Sequence, residues 1–139
     1  MSTGPGPVIV VDDDAAVRNS LKFALELEGF DVRAYEGGPQ TLADEGLNSG
    51  GCLVVDQYMP GMTGVELVEH LRERYVDIPA ILITGKPTNE LRLRAALSGI
   101  RQVLEKPLED GALLDGIRSA IANSGPPRRP AGPPEYPLG

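Results

Sequence analysis

The chain has 139 residues, of which 41% are hydrophobic and 24% are charged, proportions that are typical of one soluble globular domain. Its formal net charge of -7 disfavours direct binding of nucleic acid, because contacts with phosphates require a basic surface. The single cysteine excludes an internal disulfide. Since no apolar run reaches membrane-spanning length and the start is not typical of a signal peptide, we expect a cytoplasmic protein that does not bind membranes.

The first half of the chain alternates apolar runs with amphipathic segments. Residues 8–11 are all β-branched and predict a buried strand. The spacing of apolar residues predicts a helix over 15–28, which Asp14 can cap and Gly29 can end. The next elements predicted are a short polar strand over 31–35, a helix that opens with proline over 39–47, and a strand over 52–55.

The second half repeats this alternation. The elements predicted there are helix 65–75, strand 80–83, helix 89–97, strand 101–104 and helix 109–122. Strands that alternate with helices pair in parallel through right-handed crossovers. We therefore predict an α/β protein with a doubly wound sheet of five parallel strands, for which the flavodoxin-like order 2-1-3-4-5 is the best fit.

Acidic side chains follow two of the predicted strands at their C-terminal ends. Asp12 and Asp13 follow the first strand, and Asp56 follows the third, which the predicted order makes its neighbour. Carboxylates that lie so close together cannot all remain ionised without a cation, and oxygen ligands suit Mg²⁺. The sequence therefore predicts a magnesium site formed by Asp12, Asp13 and Asp56.

Two more polar residues are predicted at the same edge of the sheet. Thr84 follows the fourth strand, and Lys106 follows the fifth. A hydroxyl and an ammonium can donate hydrogen bonds to a phosphoryl group while the acids hold a metal. Asp56 is then the natural nucleophile, because it ends the best-buried strand. Each residue alone has a simpler explanation as a turn or surface residue, but their coincidence at one edge favours the chemical one.

Four segments of the sequence together resemble the receiver domain of two-component response regulators. These segments are VIVVDDD (8–14), LVVDQYMPGMTGVEL (53–67), ILITG (81–85) and LEKPL (104–108). The resemblance covers residues 8 to about 122, and its details are similar to the branch that contains regulators of nitrogen fixation and aromatic degradation. It implies a phosphoprotein of signal transduction and not a classical enzyme.

The resemblance implies how the acids would act. Asp56 would accept a phosphoryl group from the phosphohistidine of a sensor histidine kinase or phosphotransfer protein. Asp13, Asp56 and the backbone carbonyl of Tyr58 would bind Mg²⁺, and Asp12 would help through a water molecule. No other cofactor is implied.

The resemblance also implies how the phosphoryl group would be sensed. Thr84 would donate a hydrogen bond to a phosphoryl oxygen and shift when the group arrives. Lys106 would pair first with Asp56 and then with the phosphoryl group, and the Lys106–Pro107 peptide bond would be cis. Phosphorylation would reorganise the fourth helix and fifth strand and so change a surface for partners.

Two departures from the family pattern affect these expectations. The aromatic switch residue that usually lies three positions before the lysine is Val103 here, which has little side chain to move together with Thr84. The residues expected to flank the phosphoryl group are Tyr58, Met59, Gly85 and Lys86. Because Tyr58 is bulky and Lys86 is charged, we predict a long-lived phosphoaspartate.

The chain divides into an N-terminal extension (1–7), a receiver domain (8–122) and a proline-rich C-terminal tail (123–139). No helix-turn-helix follows the last predicted helix, so the leading interpretation is a stand-alone receiver. It would switch a partner-binding surface, carry or store phosphoryl groups, or form a homodimer. The alternatives are a receiver fragment of a longer transcriptional regulator and a degenerate receiver used as a dimer or scaffold module. A Mg²⁺-dependent phosphohydrolase is least favoured, because such enzymes usually have a second acid where Tyr58 stands.

Overall fold

Strands and helices alternate along the chain in the predicted order. The computed structural model describes residues 6–48, 50–109 and 111–122, so the predicted tail and most of the predicted N-terminal extension lie outside the described residues. The strands are β1 (Val8–Val11), β2 (Val32–Tyr35), β3 (Cys52–Asp56), β4 (Ala80–Thr84) and β5 (Ile100–Glu105). The helices are α1 (Ala15–Leu27), α2 (Gly38–Leu42), α3 (Gly64–Glu73), α4 (Asn89–Leu97) and α5 (Ala112–Ala122). Within the described ranges, no helix is both long and apolar enough to cross a membrane.

The strands form one parallel sheet with the order β2-β1-β3-β4-β5, which confirms the predicted topology. Every residue of β1, β3 and β4 is buried, as expected for central strands that helices cover on both faces. β1 pairs with β3 so that Val11 lies opposite Val55. The residues that follow these two, Asp12 and Asp56, are therefore neighbours at the C-terminal edge of the sheet.

Two apolar cores cover the two faces of the sheet. Because side chains alternate along a strand, Leu53 and Val55 of β3 pack on the side of α2, α3 and α4. Cys52 and Val54 pack on the opposite side, against α1 and α5. The same alternation points the side chain of Asp56, the last residue of β3, and that of the residue after it to opposite faces of the sheet.

The second helix is shorter than predicted. We expected it over 39–47, but α2 ends at Leu42. The Asp44 carboxylate accepts a hydrogen bond from Gly46 N–H at 2.8 Å and another from the Tyr35 hydroxyl. An aspartate that bonds to nearby backbone N–H groups competes with helix formation. The prediction was therefore wrong beyond residue 42.

The last helix begins later than predicted. We expected it over 109–122, but α5 begins at Ala112. Gly111 has a φ of +81°, which lies outside the right-handed helical region, so the helix begins after it. The remaining boundaries lie within two residues of the predicted ones, a difference that fraying of element ends explains.

Candidate functional site

Three carboxylates meet at the C-terminal edge of the sheet. Asp12, Asp13 and Asp56 each offer one oxygen, and these oxygens all lie within 4.8 Å of one another. Asp12 and Asp56 are buried, and Asp13 is exposed. The pairing of β1 with β3 brings them together. The structure thus assembles the acids that the sequence singled out, in an arrangement of oxygen ligands that suits one hard cation.

The acidic cluster needs a positive charge nearby. Burial raises the pKa of Asp12, and the hydrogen bond from Asp14 N–H at 2.9 Å opposes this rise. The negative charges of Asp56 and Asp13 raise the pKa of Asp12 further. Folding therefore disfavours the ionised form of Asp12. A divalent cation held by these oxygens would favour the ionised form again, so the donor set fits Mg²⁺.

Lys106 supplies one positive charge to the cluster. Its Nζ lies 2.8 Å from Asp56 Oδ1, and the two side chains are 43% and 7% exposed, respectively. The hydrogen bond to Asp56 raises the pKa of Lys106, so the ammonium is protonated at neutral pH. The Lys106–Pro107 peptide bond is cis, which confirms that expectation. Lys106 therefore places a charged donor beside Asp56 that can turn to an incoming oxyanion.

Thr84 ends the neighbouring strand and is fully buried. Asp56 lies opposite Ile83 in the pairing of β3 with β4, so Thr84 lies one residue further along. Its Oγ1 accepts a hydrogen bond from Lys86 N–H at 3.1 Å, which leaves the hydroxyl proton for another acceptor. Thr84 is thus placed to donate at the edge of the sheet that holds Asp56.

Val103 occupies the predicted switch position on β5. It lies opposite Leu82, is half-buried, and packs against the core on the side of α2, α3 and α4. An aliphatic side chain already in contact with this core has no ring to move between an outer and an inner position. The structure therefore provides no aromatic coupling between Thr84 and residue 103.

The residues predicted to flank a phosphoryl group lie just beyond β3 and β4. Tyr58 is 56% exposed, and Lys86 and Gly85 are also exposed. Met59 is buried and joins the core on the side of α2, α3 and α4. Tyr58 and Lys86 are therefore accessible to solvent beside the strand ends that carry Asp56 and Thr84.

Three residues near the site were not singled out from the sequence. Arg18 Nη1 donates a hydrogen bond to Asp12 O at 2.7 Å. A Cβ on Gly64 would lie only 2.7 Å from Asp56 O, so glycine lets α3 begin close to the backbone of Asp56. Gln57 is buried, and its Oε1 accepts a hydrogen bond from Val65 N–H at 3.0 Å. A glutamine directly after an apolar strand was a signal that could have singled out Gln57, although not its partner Val65.

Comparison of the sequence with known proteins shows one family. Residues 8–118 match the family model described as response regulator receiver domain. The transcriptional regulatory protein FixJ of Bradyrhizobium diazoefficiens is 39% identical over 125 residues, which cover 89% of this chain and 60% of FixJ. The transcriptional regulatory protein TdiR of Thauera aromatica is 33% identical over 115 residues, which cover 83% of this chain and 51% of TdiR. The chain therefore spans 60% or less of the length of these curated relatives.

Solved structures with the same fold include relatives of similar sequence. The crystal structure of FixJ-N has a TM-score of 0.76 and 36% sequence identity, and the match covers 84% of this chain and 94% of that one. The response regulator StyR has a TM-score of 0.79 and 37% identity, with 86% of this chain and 60% of that chain covered. The family match over residues 8–118 includes all five strands and the acids at their C-terminal edge.

Proposed function

This chain belongs to the family of response regulator receiver domains, and we propose that Asp56 is the residue on which it accepts a phosphoryl group. Receiver domains accept a phosphoryl group on an aspartate and interact with histidine kinases or phosphotransfer proteins in two-component signal transduction. They are signalling proteins and not classical enzymes. The observation that carries the proposal is the position of Asp56, which is buried and lies close to two other carboxylates and to the Lys106 ammonium.

The side chains at this edge suit the chemistry of phosphoryl transfer. In the proposed step, an Asp56 oxygen forms a P–O bond with the phosphorus of a phosphohistidine. The P–N bond breaks, and its electron pair stays on the imidazole nitrogen. Lys106 exchanges its contact with Asp56 for one with the phosphoryl oxygens, and the Thr84 hydroxyl donates a hydrogen bond to one of these oxygens. Such transfer depends on positioning and charge neutralisation, which these residues can provide.

We assign cation binding to Asp12, Asp13, Asp56 and the backbone carbonyl of Tyr58, with Asp12 acting through water. Bound Mg²⁺ would neutralise charge on the transferring phosphoryl group. The support for this assignment is the donor set, because three clustered carboxylates with a raised pKa at Asp12 favour a hard divalent ion.

The proposed phosphoryl donor is a sensor histidine kinase or a phosphotransfer protein. We propose that phosphorylation changes the surface around α4 and β5 for a protein partner or a second copy of the chain, with no direct contact to nucleic acid. A receiver that works on its own is one arrangement. A receiver that belongs to a longer transcriptional regulator is the second candidate, and the regulators FixJ and TdiR, of which the chain spans 60% or less, favour it. The chemistry at Asp56 is the same in both.

Incubation with acetyl phosphate and Mg²⁺, followed by mass spectrometry of the intact chain, tests the proposal. We expect uptake of one phosphoryl group by the wild type, none by Asp56→Asn, and little by Asp13→Asn. The exposed acid Glu73 on α3 offers a control, because Glu73→Gln should label like the wild type. Failure of the wild type to label would favour a degenerate receiver, and repeated turnover of a small phosphoester would favour a phosphohydrolase.

We also propose that Tyr58 and Lys86 prolong the life of the phosphoaspartate. Both side chains are exposed beside the strand ends of the site, where Tyr58 can hinder an attacking water and Lys86 can interact with the phosphoryl charge. Tyr58→Asn and Lys86→Ala should each speed loss of the phosphoryl group from labelled protein, measured after removal of acetyl phosphate. Unchanged rates in both variants would rule this idea out.

A further inference from the structure

Gln57, the residue after Asp56, is a polar residue in a buried position. Its exposed fraction is 6%. Leu53 and Val55 face the side of α3, and Gln57 continues this alternation, so its side chain and that of Asp56 point to opposite faces. A buried amide is stable only where the protein supplies hydrogen-bond partners.

The partners of Gln57 tie the end of β3 to the start of α3. Its side-chain Oε1 accepts from Val65 N–H at 3.0 Å, and its backbone carbonyl accepts from Gly64 N–H at 3.0 Å. Its own N–H donates to Ile83 O on β4 at 2.9 Å. Gln57 therefore holds both ends of the segment 58–63 and anchors that segment to the sheet.

The Val65 N–H depends on the glutamine side chain. The first N–H groups of a helix have no partner within the helix. The Thr63 hydroxyl already accepts from Glu66 N–H at 3.2 Å, and Thr63 O accepts from Leu67 N–H at 3.0 Å. Val65 is fully buried, so an apolar residue at position 57 would leave the Val65 N–H without the Gln57 oxygen and away from water. Loss of this hydrogen bond would destabilise the present arrangement of the segment.

We propose that Gln57 is a positioning residue for the cation site. By holding the segment 58–63, it sets the direction of the Tyr58 backbone carbonyl, which lies directly after it. The inference rests on the proposed function, because it takes that carbonyl to be a ligand of Mg²⁺. Mg²⁺ requires near-ideal octahedral geometry. Residues that fix the orientation of a metal ligand without contacting the metal therefore have strong effects on metal affinity. Loss of the Gln57 acceptor should therefore weaken Mg²⁺ binding.

Calorimetric titration of the unphosphorylated full chain with Mg²⁺ tests this role without any phosphoryl transfer. Gln57→Met keeps the length of the side chain but removes the carbonyl oxygen, and we expect its Kd to rise about tenfold or more. Gln57→Glu keeps an oxygen acceptor for Val65 and should bind at least as tightly as the wild type. The control Ile117→Val makes a small defect in the core on the opposite side of the sheet and should leave the Kd unchanged.

The outcomes separate this inference from the proposed function. If Gln57→Met binds Mg²⁺ as tightly as the wild type, the inference fails and the proposed function is unaffected. The same holds if Gln57→Met and Ile117→Val weaken Mg²⁺ binding equally. A wild type with no Asp13-dependent Mg²⁺ binding would overturn both this inference and the proposed cation site. Should Gln57→Met not fold, Gln57→Asn takes its place, because its amide is one methylene too short to keep the contact, and the same weakening is expected.

Discussion

The third and fourth helices are neighbours of similar length that are attached to the protein in different ways. The buried residues of α3 are Gly64, Val65, Leu67, Val68 and Leu71, whereas α4 buries only Ala95. Leu93 and Leu97 of α4 are 63% and 80% exposed. Because burial of apolar surface is the main favourable term in folding, α3 belongs to the core and α4 lies on its surface.

Polar contacts make up much of the interface between α4 and α3. Arg94 donates two hydrogen bonds to Glu69, at 3.0 and 2.8 Å, and the Ser98 hydroxyl donates a third at 3.3 Å. Contacts between exposed charges contribute little to stability, so α4 can shift at a small cost in free energy. The difference between the helices supports our proposal that phosphorylation changes the surface around α4 and β5.

The largest expected difference is in the loss of stability when one leucine of each helix is replaced by alanine. Leu71→Ala on α3 should lower the free energy of unfolding by about 2–5 kcal/mol, because Leu71 is buried and its loss leaves a cavity. Leu97→Ala on α4 should change it by no more than about 0.5 kcal/mol. Urea unfolding measures both. Similar losses in the two variants would mean that α4 is as much part of the core as α3.

Removal of the arginine that connects α3 to the loops around it should have the next largest effect. Arg72 donates to the carbonyls of Val76 and Ile78 at 2.9 Å each and to Ser98 O, at the end of α4, at 3.0 Å. Arg72→Met should cost about 1.5–3 kcal/mol, since charged hydrogen bonds are lost and acceptors are left unpaired. Arg92→Met, at an exposed arginine of α4, is the control and should be nearly neutral in the same unfolding measurement.

The helix caps allow a closer test of the same contrast. Thr63 and Glu66 form a capping box at the start of α3, and Thr88 alone caps α4. Thr63→Ala should cost about 0.5–2 kcal/mol of global stability. Thr88→Ala should cost less, because fraying of α4 exposes little apolar surface, and it should speed hydrogen exchange within α4 only. If both substitutions lower global stability equally, the two helices unfold together.

The smallest effect is expected from the ion pair between the helices. Arg94→Met should cost no more than about 1 kcal/mol, because Arg94 and Glu69 are 49% and 38% exposed. The hydrogen bond from Arg94 lowers the pKa of Glu69. The contribution is therefore complete above the ordinary pKa of 4.5 and is lost as the pH falls through the lowered folded value. Unfolding curves of the wild type and Arg94→Met should converge in acid, and a persistent gap there would point to packing instead of charge.

The sheet order and the meeting of the acids follow from patterns that are local in the sequence. Apolar runs that end in Asp12 or Asp56 identify central parallel strands and the edge at which they meet. Contacts between separate segments have no such pattern. The pairs Gln57 with Val65 and Glu69 with Arg94 depend on how helices lie against the sheet, and the early end of α2 depends on the carboxylate of Asp44. Side-chain geometry of this kind appears only in three dimensions.

Cys52, at the start of β3, gives the chain a built-in chemical reporter. It is fully buried, and burial raises the pKa of its thiol to about 12. Alkylating reagents react with the thiolate, which is the nucleophilic form of cysteine, so they should leave Cys52 of the native protein unmodified at neutral pH. The rate of alkylation therefore reports how often the middle of the sheet opens, and we expect this rate to be the same before and after phosphorylation of Asp56.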